Sequence, residues 1–280
     1  MGKLLVDPEY QESIIHPANV IMITSIIAGI TFTPIARKSP SPSTWNKKTF
    51  FLVAMMGVAD ALANMLLFFG LLDVESKTAS ILLDTEILFT VLIAVTIFRE
   101  RLTLKESLTC IMIFTGSVFL PLTIGLYETG FVFSDSFGAE IIILVATAIF
   151  ASDTGMARYV SEKISAERIS QISAFFGGLF ALCVVVTFQI PFDVNIQHLP
   201  YLLIIGILIT GFSYYLMIVG LKLIGIIKTI LIYSTISTFG VVFAYVFLEE
   251  SITYYNILSI CLIFTGIILL RKKIAKLEKD

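Results

Sequence analysis

The sequence predicts an all-α polytopic membrane protein built from two inverted repeats of transmembrane helices. Three observations lead there: apolar runs of membrane length, a one-sided distribution of basic residues, and an internal repeat at an offset of 150 residues. Hydrophobic residues make up 57% of the 280-residue chain, charged residues only 14%, and the mean hydropathy is +0.96. A soluble domain would carry about 25% charged residues spread along its length. Here the charges form short islands between apolar runs of about 20 residues, the length that spans a ~30 Å hydrocarbon core at 1.5 Å per residue. Backbone amides in lipid must bond within their own segment, so these runs are helices.

Nine spans are expected, at about 17–36, 50–72, 78–98, 106–125, 138–157, 170–190, 199–221, 227–248 and 254–270. The connections are short and polar, as in Arg37–Lys48, Gly125–Gly138 and Pro191–Pro200. No signal peptide is evident, because the first 13 residues are polar and mixed in charge. Placing the C-terminus in the cytoplasm puts 17 of the 19 basic residues on the inner side and leaves only Lys3 and Lys77 outside. That asymmetry is the positive-inside pattern. Net charge of −2 and the lack of a basic block exclude a nucleic-acid surface. Cys110, Cys183 and Cys261 all lie in apolar runs, where they read as packing residues and not as a zinc or disulfide framework.

At an offset of 150, Ile113-Phe114-Thr115-Gly116 recurs as Ile263-Phe264-Thr265-Gly266. Glu100 falls on Glu250, Thr103 on Thr253, Gly70 on Gly220 and Leu71 on Leu221. The loop at Arg99 is expected inside and its mate at Glu249-Glu250 outside, so the halves are inverted, the arrangement of many secondary transporters. Residues 1–125 form the first repeat with four spans, and 126–280 the second with five. A helix equivalent to 138–157 is missing from the first, so we expect either a nine-span variant of a ten-span pattern or a true start upstream of Met1.

These residues resemble the drug/metabolite transporter superfamily, and its EamA-like branch in particular. The likeness rests on Phe98-Arg99-Glu100-Arg101-Leu102-Thr103 followed by Gly116, and on Leu248-Glu249-Glu250-Ser251-Ile252-Thr253 followed by Gly266. It covers about 17–270 and implies two five-helix inverted repeats. Glu100, Gly116, Glu250 and Gly266 are then structural motif residues. The chain departs from the pattern where a glycine before the glutamate is replaced by Arg99 and Glu249, and where an early fourth-helix proline is replaced by Ile87 and Ser237. The run Asp60-Ala61-Leu62-Ala63-Asn64 with Leu82-Leu83-Asp84 is also similar to a solute-carrier group near the nucleotide-sugar transporters.

Ionisable groups at membrane depth cost about 2.5–3.5 kcal/mol or more each, so they are functional candidates. Asp60, Asp84, Glu86 and Asp153 qualify. Asn64 shares a face with Asp60, and their repeat mates are Thr210 and Tyr214. The stripe is either a substrate cavity wall or an interhelical Asp–Asn hydrogen bond that locks packing. Asp84 and Glu86 are two apart and point about 200° apart on a helix, so one is expected in the cavity and the other packed. Tyr233, Ser234 and Thr238 line the corresponding helix of the second repeat. Asp153 is expected to snorkel or pair with Arg158. Thr103 and Glu106 form a capping-box pattern. His16 and His198 are expected in solvated loops.

The expected function is secondary active transport of a small polar metabolite by alternating access, coupled to protons or another gradient. The alternative is a shortened, non-transporting adaptor or sensor derived from a transporter. No HExxH, GxSxG or acid-cluster motif points to an enzyme. No catalytic residue, cofactor or metal is expected. The expected partners are a small-molecule substrate and the lipid bilayer, with a homodimer left open. The expected location is multi-pass in a membrane, the cytoplasmic one in a prokaryote, with the C-terminus cytoplasmic.

Overall fold

The computed structural model describes residues 15–39, 46–74, 79, 82–116, 137–192, 194–233 and scattered residues between 236 and 265. The regular elements among them are all helical. In chain order they are α1 (Pro17–Lys38), α2 (Lys47–Asp73), α3 (Thr85–Thr96), α4 (Leu104–Phe114), α5 (Phe137–Ser161), α6 (Ala166–Thr187), α7 (Ile196–Ile224) and α8 (Ile226–Tyr233). Five of these, α1, α2, α5, α6 and α7, are long and apolar enough to cross a bilayer. They coincide with expected spans to within a few residues. The candidates Ser234, Thr238, Glu250 and Gly266 lie outside the described residues.

The chain divides into two compact units, one of Met1–Leu72 with Ser152–Gly225, the other of Asp73–Ala151 with Ile226–Asp280. Shifted by 150, residues 152–225 fall on 2–75. Each unit therefore pairs repeat-equivalent stretches from the two halves of the chain.

In the first unit α1 packs along α6 and against the middle of α7. Its core holds Ala18 and Met22 of α1, Met65 and Phe68 of α2, Ala181 and Val185 of α6, and Leu202 and Ile205 of α7. Phe51, Leu179, Val186 and Leu223 are exposed apolar side chains on the same helices, as a lipid-facing surface requires. Cys183 is exposed too, and Cys110 partly buried; both are free thiols.

Both histidines take part in local hydrogen bonds, His16 partly exposed and His198 buried. His16 caps α1, its Nδ1 accepting from the Ala18 amide at 3.2 Å, and its ring meets Phe69 edge-on at 5.5 Å. Burial pushes the His16 imidazole below its usual value, which keeps that lone pair free to accept. His198 is buried and accepts from the Asn195 amide at 3.2 Å.

In the second unit α8 packs on α3 and α4. The capping box that opens α4 is complete. Thr103 donates through its amide (2.8 Å) and hydroxyl (2.7 Å) to Glu106, and its hydroxyl accepts from the Glu106 amide at 3.4 Å. Just before it, Arg99 has φ 53, in the left-handed region that favours glycine. This is the position where the family pattern carries glycine. Arg99→Gly is therefore expected to stabilise the protein by about 1 kcal/mol, read as a rise in melting temperature, because it relieves the Cβ clash of that conformation. An unchanged or lower melting temperature would show that the Arg99 side chain contributes more than the strain costs.

Candidate functional site

The first unit gathers polar groups from four helices. On α2, Asp60 and Asn64 sit one turn apart and are partly accessible. Asn64 Nδ2 donates to the Asp60 carbonyl at 2.8 Å and to Asp60 Oδ1 at 3.0 Å. The Asp–Asn bond thus lies within one helix, not between helices.

Asp153 of α5 is 2% exposed. It receives the Tyr214 hydroxyl, 3.2 Å from Oδ1 and 3.0 Å from Oδ2. Arg158, five residues on, binds Glu162 at 3.1 Å. Asp60 and Ser173 also interact with that phenol. Tyr214 is thus the hub, a partly accessible phenol backed by a buried carboxylate and flanked by a second one.

Glycines hold these groups close. Gly57 lies one turn before Asp60, and a Cβ placed on it would overlap the Ser173 carbonyl oxygen and come within 2.9 Å of the Gly177 nitrogen. α2 and α6 therefore touch backbone to backbone, the close approach that small residues allow in membranes. On the other side of α6, Gln171 donates to Thr33 at 3.0 Å and Glu167 accepts from Tyr215 at 3.4 Å. Ser170 Oγ is buried and has no partner among the described residues.

The second unit holds its own polar group. Asp84 and Glu86 are both buried, at 6% and 9% exposure. Asp84 occupies the N-cap of α3 with a helical backbone (φ -64, ψ -13), and Glu86 lies in the first turn of that helix. Thr90, one turn beyond Glu86 on the same face, is fully buried with its hydroxyl unpartnered among the described residues. Thr229 is buried on α8, and Tyr233 ends that helix partly exposed. Glu100 is structural in its contact: its Oε1 accepts from the Ile226 amide at 3.4 Å, at the open N-terminus of α8. Gly225, at φ 84, lets the chain turn there in a single residue. Gly116 is buried at the end of α4. Among the described residues no three His, Cys, Asp or Glu side chains gather as a metal site.

Sequence reasoning missed the Asp153–Tyr214 pair and the glycine crossing. A signal existed for each: an aspartate inside the apolar run Ala146–Ala157, and glycine at Gly57 and Gly177-Gly178 beside polar positions.

The EamA-like transporter family matches residues 10–121 and 137–272 of the chain. An uncharacterized transporter of Methanothermobacter thermautotrophicus is 28% identical over 272 residues, covering 92% of this chain and 79% of that protein. A protein crystal structure superposes with a TM-score of 0.70 at 16% identity, over 94% of this chain and 90% of that one. At that identity the likeness concerns the fold.

Proposed function

The chain belongs to the EamA-like transporter family, and we propose that it is a secondary carrier for a small polar metabolite, worked by alternating access and driven by a proton or ion gradient. A transporter role follows from the family. The finer reading is supported by one observation above all: Asp60, Asn64, Asp153 and Tyr214 converge in helices of membrane-spanning length. Carboxylates at that depth favour a cationic or zwitterionic substrate, or proton exchange. Asp60 and Asn64 are accessible enough to touch substrate. Asp84, Glu86, Tyr233, Ser234 and Thr238 are the further candidates. In this reading the C-terminus faces the cytoplasm, and the protein acts as a carrier, not an enzyme.

The test is uptake into proteoliposomes under an imposed pH gradient, with panels of amino acids, organic cations and nucleotides. Accumulation should follow the gradient, and Asp60→Asn should reduce it at least about tenfold, the effect of losing roughly 1.4 kcal/mol of differential binding. Uptake indifferent to any ion gradient would remove the coupling. Full uptake by Asp60→Asn would remove that residue from the pathway.

A further inference from the structure

The glycine contacts of the first unit occur in reciprocal pairs. Gly29 meets Phe175 at 2.9 Å and Gly178 meets Ile26 at 2.9 Å, the distances being those of an added Cβ. Adding 149 to 29 and 26 gives 178 and 175, so the α1–α6 crossing maps onto itself. The same offset relates Gly57 on the Ser173 carbonyl to Gly206 on the Thr24 carbonyl (3.0 Å). Such reciprocity is the signature of a two-fold relation.

One turn further along, the offset breaks. Gly177 meets Ala61 at 3.5 Å, and Gly211 meets Ala28 at 3.6 Å. From 28 to 177 is still 149, but from 61 to 211 is 150. α7 therefore holds one more residue between its two contacts than α2 holds between the equivalent pair. That extra residue falls inside Ile205–Ser213, the one π-helical stretch of α7. A π turn closes from i to i+5, one residue wider than an α turn, so it takes up an extra residue while both flanks keep their contacts.

We infer that Ile205–Ser213 carries a one-residue insertion that packing does not need, and that it is a hinge in α7. At its start the segment is fixed on α1 through Gly206; directly downstream come Tyr214 on Asp153 and Tyr215 on Glu167. Such a wide turn is rare and occurs mostly as a single interruption of an α-helix, frequently at functional sites. It is the cheapest place for the two parts to move independently. The inference stands on helix contacts and holds whatever the chain carries.

Two measurements on the full-length protein in detergent test it. Ile209 is exposed within the segment, and Leu179 is exposed within the uninterrupted helix α6. Deletion of Ile209 should leave the melting temperature within about 3 °C of the native value, whereas deletion of Leu179, which throws Gly178 and Ala181 out of register, should lower it by about 10 °C or more. By hydrogen–deuterium exchange, amides of 205–213 in the native protein should exchange at least about tenfold faster than those of 55–63, and deletion of Ile209 should remove the difference. If deletion of Ile209 is as damaging as deletion of Leu179, the residue is not an insertion. If the two native segments exchange alike, or the deletion does not slow exchange, the segment is not a hinge.

Discussion

Gly57→Ala is expected to destabilise the protein by about 3 kcal/mol, lowering its melting temperature by roughly 6–12 °C. The new methyl group would meet the Ser173 carbonyl oxygen and the Gly177 nitrogen, both backbone atoms. A side chain can rotate away from such a clash; a helix backbone cannot. Lipid offers no hydrophobic drive to hold two displaced helices together, so packing lost at a crossing is not recovered. Gly138→Ala is the matched control. A Cβ there meets nothing within 4 Å. Since alanine favours the helix by up to about 1 kcal/mol, that variant should be neutral or slightly more stable. The two alanines together separate crowding from helix propensity. If Gly57→Ala melts like Gly138→Ala, α2 and α6 do not approach as described. Gly57 stands one turn from Asp60 and Gly177 one turn from Ser173, so the same substitution should also disturb the polar cluster around Tyr214.

How far the sequence foretold this arrangement depended on the range of each interaction. The long helices α1, α2, α5, α6 and α7 were legible because bilayer thickness imposes a length on every apolar run. The Thr103–Glu106 box was legible because both partners lie within one turn. The Asp153–Tyr214 bond was not legible, because its partners lie 61 residues apart in the chain and meet only in the folded bundle. His198 was expected in a solvated loop but is buried in the turn that opens α7, where it accepts from the Asn195 amide. The longest run of identities, Ile113–Gly116 on Ile263–Gly266, set the repeat offset at 150. The stretch at 149 is marked only by single glycines, Gly29 on Gly178 and Gly57 on Gly206, and it took their contacts to show that the offset changes.

Asp153 and Tyr214 should be energetically coupled, and the size of the coupling is informative. Hydrogen bonds between membrane helices average about 0.6 kcal/mol in double-mutant cycles, with a maximum near 1.7. A bond to an ionised carboxylate is roughly twice as strong as a neutral one. Stability should be measured for Tyr214→Phe, Asp153→Ala and the double variant. Asp153→Ala alone should cost about 2–3 kcal/mol, since it opens a small void and leaves the phenol proton without its acceptor. The pairwise term should then lie near 0.6 kcal/mol if the carboxyl is protonated and above about 1.2 if it is ionised. Additive effects would mean that the 3.0 Å contact is not formed in the membrane. A coupling of about 1 kcal/mol changes an equilibrium roughly fivefold. That is strong enough to hold Tyr214 against α5 in one conformation and weak enough to be broken once in every cycle of a carrier. A much stronger bond, or a buried ion pair at this point, would trap the helix and defeat the motion that transport requires.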